Sequence, residues 1–381
     1  MEEKAPLDDR LKRWRMILGG GEADGTEVEL DAHSMGIDRT LEALYDANSS
    51  RSGGLGSSKP YVNRWLGDIR TYFPSSVVQV LQRDAMERLG LKQMLLEPEI
   101  LEHIEPDVHL AATLVSLKQV IPERTKSTAR QVVQRIVDDL LKRLQLPMIQ
   151  AVKGALSRHT RNIHPKLREI DWPRTIAANL KHYQPEYGTV IPERLIGMGR
   201  KGSALKEVIL CVDQSGSMAT SVVYASVFGA VMASMQSIKT RMVAFDTEVA
   251  DMTEMLSDPV DLLFGVQLGG GTDICRALAY CESWIHRPKD TILVLISDLY
   301  EGGNRRNLIK QAMKLKASGV QFITLLALSD EGKPFYDAQM AQEFADLKIP
   351  TFGCTPDAFP GLMAAAIQGT RLPLEQRDFL P

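Results

Sequence analysis

Three clusters of oxygen-bearing side chains carry the chemistry that this sequence can offer: Asp213-Gln214-Ser215-Gly216-Ser217, Gly269-Gly270-Gly271-Thr272-Asp273 and Ser297-Asp298. A D-x-S-x-S turn aims two hydroxyls and a carboxylate into one small volume, and a hard cation fits that volume. Mg²⁺ takes oxygen ligands in near-octahedral geometry at about 2.0–2.1 Å and gives up its waters reluctantly, so neutral hydroxyls plus waters held by carboxylates suit it. The expected assignment is Ser215, Ser217 and Thr272 as direct hydroxyl ligands, with Asp213 and Asp298 acting largely through bound waters. One coordination position is then left open. Neutral hydroxyls leave the ion electrophilic enough to accept a carboxylate from outside. The glycines at 269 to 271 are expected to let the backbone approach the ion and deliver Thr272. Asp273 is expected to cap the helix that follows.

Other chemistries find less support. The four cysteines, Cys211, Cys275, Cys281 and Cys354, stand singly in apolar surroundings with no C-x-x-C pair, which predicts reduced, buried thiols. His103 and His109 are separated by Pro106 and read as surface residues rather than metal ligands. Gly53, Gly54, Gly56 and Lys59 lack the spacing of a phosphate-binding loop, and no apolar strand precedes them. A metal-dependent phosphohydrolase of related fold would place D-x-D-x-[TV] after its first strand. Here the third position is Ser215, which cannot act as an acid or base. No G-x-S-x-G elbow and no G-x-G-x-x-G fingerprint occurs either.

The elements that must position the three clusters lie after Lys206. Apolar runs at 208–212, 240–245, 291–297, 320–328 and near 348–352 read as strands, and helical patterns at 219–235, 274–285, 305–317 and 335–347 separate them. Continuous apolar strands alternating with helices predict an α/β domain with a doubly wound, mostly parallel sheet covered on both faces. In such domains ligands sit beyond the carboxyl ends of the strands, where all three clusters fall. Before Lys206 the pattern is helical. Leu7, Leu11, Trp14 and Leu18 mark a short helix, another follows at 36–46, a Ser/Gly-rich loop at 48–59 comes next, and helical stripes run from Pro60 to about Leu146. Trp172, Tyr183 and Tyr187 stand among Pro165, Pro173, Pro185 and Pro192 in an irregular connector. The expected organisation is therefore a helical region 1–164, a connector 165–205, the α/β domain 206–372 and a tail 373–381.

The chain of 381 residues has a formal charge of −3, with 44% hydrophobic and 24% charged residues, as in ordinary globular proteins. That near-neutral sum hides an uneven distribution. Residues 1–117 hold 13 basic and 20 acidic side chains, 118–206 hold 18 and 7, and 207–381 hold 14 and 21. The basic middle could neutralise phosphates, but it matches no recognised nucleic-acid module. An acidic surface, in this chain or on a partner, is its expected counterpart. Met-Glu-Glu-Lys opens the sequence with no hydrophobic stretch behind it, and no run of 18 apolar residues is expected, so the expected location is the cytoplasm.

Residues 206 to about 370 resemble a von Willebrand factor type A (VWA) domain. Asp213, Ser215, Ser217, Thr272 and Asp298 match all five positions of that family's metal-ion-dependent adhesion site. The resemblance implies a divalent-cation-dependent binding module, loaded with Mg²⁺, Mn²⁺ or Ca²⁺, that engages an acidic residue of a protein partner. The whole chain further resembles bacterial CoxE-like proteins, in which a helical N-terminal region precedes such a domain. The residues prompting this are Arg13-Trp14-Arg15 with Leu18-Gly19, Pro60-Tyr61-Val62-Asn63-Arg64-Trp65-Leu66-Gly67-Asp68, and Gly269 through Ile274. That second resemblance implies work alongside a MoxR-type AAA+ ATPase and a non-enzymatic role.

Overall fold

The computed structural model describes residues 11–12, 14–15, 30–45, 59–88, 95, 101, 104–159, 167, 170–197, 206–265, 270–328, 335–370 and 372. Most of the helix expected at 7–18, the Ser/Gly loop up to residue 58, Gly269 and the tail 373–381 lie outside these residues. The chain divides into two compact units, Met1–Ile136 and Val137–Pro381.

In the first unit the described elements are α1 (Ala32–Tyr45), α2 (Lys59–Tyr72), α3 (Ser75–Arg88), α4 (Val108–Ser116) and the start of the long helix α5 (Glu123–His159). Leu44 of α1, Val62, Trp65, Leu66 and Ile69 of α2, and Val78, Leu81 and Ala85 of α3 bury one another as a single core. The three-to-four-residue spacing of these side chains puts them on one face of each helix. The Trp65 indole N–H donates to the Thr40 carbonyl at 3.0 Å, so its one polar atom is satisfied inside that core. Asp107 caps α4 by accepting from Leu110 N–H at 2.6 Å.

The second unit begins within α5, which continues through Pro147 to His159. Proline removes one backbone bond, yet Leu144 before it and Met148, Val152 and Ala155 beyond it remain buried. That apolar stripe carries the helix past the end expected near Leu146. The stretch expected as an irregular connector contains α6 (Trp172–Ala178) and a hairpin of β1 (Tyr183–Gln184) and β2 (Thr189–Val190), turned at Gly188 with φ of 58°.

From Lys206 onward a six-stranded sheet forms in the order β5-β4-β3-β6-β7-β8. Its strands are β3 (Lys206–Asp213), β4 (Ile238–Phe245), β5 (Val249–Asp251), β6 (Thr291–Ile296), β7 (Gln321–Leu328) and β8 (Thr351–Cys354). All pairs are parallel except β4 with β5, where a short edge strand returns antiparallel. The sequence reading had not separated β5, three residues long, from the loop around it. Helices α7 (Ala219–Ala233), α8 (Pro259–Gly265), α9 (Ile274–Trp284), α10 (Arg305–Ala317), α11 (Ala338–Asp346) and α12 (Phe359–Gln368) complete the unit.

Ile209, Cys211, Val243, Phe245, Leu293 and Leu295 pack with Ile274, Leu278, Leu308, Leu315 and Phe344 into one buried cluster, which places α9, α10 and α11 together. On α7, Phe228 meets Phe359 of α12 at 4.5 Å between ring centroids. At Gly229 an added Cβ would lie 2.8 Å from Leu256 and 3.4 Å from Leu210, so the glycine lets α7 lie close to its neighbours. Among the described residues one helical stretch, Gly216–Ala233, passes a length-and-hydropathy test for a membrane span, although no such run was expected. It is uncharged because serines and threonine, not ionic residues, interrupt its apolar side chains. Within this fold 67% of it is buried, as a core helix.

Candidate metal centre

Strand β3 lies between β4 and β6, so the chain leaves it toward one side for β4 and later returns to the other side for β6. Such a reversal opens a crevice at the carboxyl ends of the strands. Asp213 is the last residue of β3, and Ser297-Asp298 directly follows β6. The two carboxylates therefore meet because the sheet order puts their strands side by side.

Asp213 is fully buried and Asp298 is 4% exposed. Oδ1 of Asp213 accepts the Ser215 N–H at 2.8 Å, which fixes the turn after β3. Oδ2 accepts the Ser297 hydroxyl at 2.7 Å. The Ser215 and Ser217 hydroxyls stand 3.2 Å apart, and Ser217 Oγ donates to Oδ2 of Asp298 at 2.5 Å. Oδ1 of Asp298 accepts the Tyr300 N–H at 3.3 Å. Four of the five residues expected to form a cation site are thus joined by side-chain bonds in one cluster.

Thr272 arrives by a different route. Its carbonyl accepts the Gly302 N–H at 2.7 Å, tying the start of α9 to the loop that follows Asp298. At Gly302 an added Cβ would lie 2.8 Å from that carbonyl oxygen, so only glycine permits the approach. Glu301 in the same loop accepts the Ile274 N–H at 2.8 Å. Asp273 accepts the Arg276 N–H at 2.8 Å and caps α9, as expected. Of the glycines before Thr272, Gly270, at φ of 124°, lies over the Asp246 side chain, and Gly271 lies over Thr247.

The electrostatics fit a dication. Burial pushes the Asp213 carboxyl up to about 6, with the Asp298 charge adding to the rise and bonds from Ser215 and Ser297 opposing it. Among the described residues neither carboxylate pairs with a Lys or Arg. Two buried, converging carboxylates with no counter-charge and three hydroxyl-bearing residues at hand form the donor set of a hard oxygen-liganded ion. Among the described residues no three His, Cys, Asp or Glu cluster as metal ligands, so hydroxyls would have to complete the set.

Ser297 was singled out with Asp298 but given no role of its own, and Leu299 and Glu301 were not singled out from the sequence. Ser297 orients Asp213 and also accepts the Leu299 N–H at 3.1 Å. Leu299 is fully buried with φ of 64°, in the left-handed region that a branched side chain seldom adopts. A serine immediately before the aspartate at a strand end was the available signal for the first. The conformation of Leu299 left no trace in composition or spacing.

Comparison with known proteins follows from this geometry. Residues 141–362 match a family described as VWA domain containing CoxE-like protein. The chain is 35% identical over 366 residues to the Escherichia coli (strain K12) protein printed as "Uncharacterized protein YehP", covering 94% of this chain and 97% of that one. Among solved structures it resembles a von Willebrand factor type A protein from Catenulispora acidiphila, at 13% identity and TM-score 0.36 over 46% of this chain and 44% of that one. It also resembles BatB from Bacteroides thetaiotaomicron, at 15% identity and TM-score 0.34 over 43% and 98% respectively. With the family match spanning more than half the sequence and the relative nearly all of it, the chain belongs to the VWA domain containing CoxE-like proteins.

Proposed function

We propose that this protein is a non-enzymatic adaptor of the cytoplasm that binds a divalent cation, Mg²⁺ or its substitutes Mn²⁺ and Ca²⁺, and through it grips a carboxylate on a protein partner. Ser215, Ser217 and Thr272 would hold the ion through their hydroxyls, and Asp213 and Asp298 through waters. When bound, the ion supplies an electrophilic position that an outside carboxylate can fill. The observation that carries this reading is the chain of contacts from Ser215 through Ser217 to Asp298, beside a buried Asp213 with no cationic partner among the described residues.

The protein's own residues prepare the site. Ser297 fixes one oxygen of Asp213, and the Ser215 N–H fixes the other. The bond from Gly302 to Thr272 holds the Thr272 segment against the loop that follows β6. Such preorganisation lowers the reordering cost of taking up an ion. A serine stands where a related phosphohydrolase needs its acid or base, which favours binding over catalysis.

We further propose a MoxR-type AAA+ ATPase as the partner, on the strength of family membership. Co-purification of the full chain with such an ATPase, in Mg²⁺ and in EDTA, tests both proposals. Capture should require the ion and should be lost in Asp213→Ala and Thr272→Ala. Undiminished capture in EDTA would overturn the cation mechanism, and absence of capture in Mg²⁺ would overturn the choice of partner.

A further inference from the structure

Two large aromatic side chains near the candidate cation site leave half or more of their surface outside the fold. Tyr300 is 52% exposed and Phe335 is 89% exposed. Both are tethered to Asp298. The Tyr300 N–H donates to its Oδ1 at 3.3 Å, and Asp337, two residues after Phe335, donates its N–H to the Asp298 carbonyl at 2.9 Å. With about 3.8 Å between successive Cα atoms, neither aromatic residue can stand far from that segment.

The backbone accounts for the outward position of Tyr300. Leu299 occupies the left-handed region and is buried in the core cluster, and the next residue points out of it. Backbone strain of this kind is costly for a branched side chain and persists where the surrounding structure holds it. On the other segment Tyr336 packs against the core while its neighbour Phe335 does not. Asp337 is engaged by Arg305 at 3.2 Å and by the Met340 N–H at 2.9 Å, so the carboxylate closest to Phe335 in sequence is already committed. Exposed aromatic side chains beside a polar anchor are the composition of a protein-binding hot spot.

We propose that Tyr300 and Phe335 form an aromatic rim beside the cation and select partners whose captured Asp or Glu is flanked by a large apolar side chain. This inference rests on the cation reading above. The ion supplies attraction to any accessible carboxylate, and the rim supplies the discrimination among them.

A random heptapeptide library displayed on phage, panned against the immobilised full chain in Mg²⁺ and eluted with EDTA, tests it. The expected consensus is an acidic residue with Leu, Ile, Met, Phe or Trp within two positions. A synthetic peptide of that consensus should lose about 10-fold in affinity on Tyr300→Ala/Phe335→Ala. The same peptide with glycine in place of its apolar residue should lose little more on that variant. An acidic consensus with no apolar neighbour, or equal losses for both peptides, would overturn the rim and leave the cation site standing. Failure to enrich any acidic peptide in a Mg²⁺-dependent way would overturn both.

Discussion

The Ser297 hydroxyl reaches from the end of β6 to Oδ2 of Asp213 at the end of β3, 2.7 Å away and 84 residues distant in sequence. Both residues are fully buried. On the proposed cation reading, a hydroxyl that orients a carboxylate holding the ion's waters would act on the ion without touching it. Ser297→Ala should therefore weaken Mn²⁺ binding by roughly 10- to 100-fold, read by isothermal titration calorimetry, while far-ultraviolet circular dichroism stays that of the native protein. Equal affinity in the variant would show that Ser215 alone suffices to orient Asp213.

Gly302 offers a test of how Thr272 is held. Its added Cβ would fall 2.8 Å from the Thr272 carbonyl oxygen, whereas Gly216 has nothing within 4 Å of an added Cβ. Gly302→Ala should cost about 1–3 kcal/mol of stability in urea unfolding and weaken the ion site with it. Gly216→Ala should leave urea stability within about 0.5 kcal/mol.

Asp273 separates capping from ligation. Its carboxylate is bonded to the Arg276 N–H at the start of α9. Asp273→Ala should cost about 1 kcal/mol, and Asp273→Asn much less, since both Asp and Asn cap well. Neither should abolish Mn²⁺ binding. A loss of binding as deep as that of Asp213→Ala would make Asp273 a ligand.

The cysteines predict a pH-dependent labelling order. Burial pushes Cys354 up to about 12 and Cys211 well above its ordinary value, whereas Cys275, itself raised by burial and by the charges of Glu301 and Asp273, is only partly buried and so open to reagent. The thiolate is the reactive form, and it is scarcest where burial raises the thiol most. Iodoacetamide should therefore modify Cys275 first, faster as pH rises. Cys211, Cys281 and Cys354 should react only after denaturation, as peptide mass spectrometry would show. Labelling of Cys354 at the rate of Cys275 would contradict its buried position.

The sheet and the site were legible in the sequence to different depths. Continuous apolar runs such as Val208–Val212 and Thr291–Ile296 announce strands buried on both faces, and the D-x-S-x-S turn falls directly after the first. The three-residue β5 is too short to establish an alternation, and the hairpin at 183–190 is set by the backbone at Gly188 rather than by apolar pattern. Ser297 was visible as a member of the Ser297-Asp298 cluster but not as the partner of Asp213, because that role depends on β3 and β6 being neighbours. The division at Ile136 falls inside α5, a helix whose sequence periodicity runs on unbroken across it. Several basic residues of the middle segment meet acidic ones within the second unit, as Arg143 meets Asp357 at 3.8 Å and Lys206 meets Asp290 at 3.5 Å.

Ser217 and Asp298 touch although they stand 81 positions apart in the chain. No such assembly exists in the unfolded polypeptide, so a cation taken up there binds the native state alone. Its concentration then enters the folding equilibrium by mass action, adding about 2.7 kcal/mol when the free ion stands 100-fold above its dissociation constant. The supply of the metal would in this way govern the lifetime of the domain against proteolysis, as well as the proposed grip on a partner.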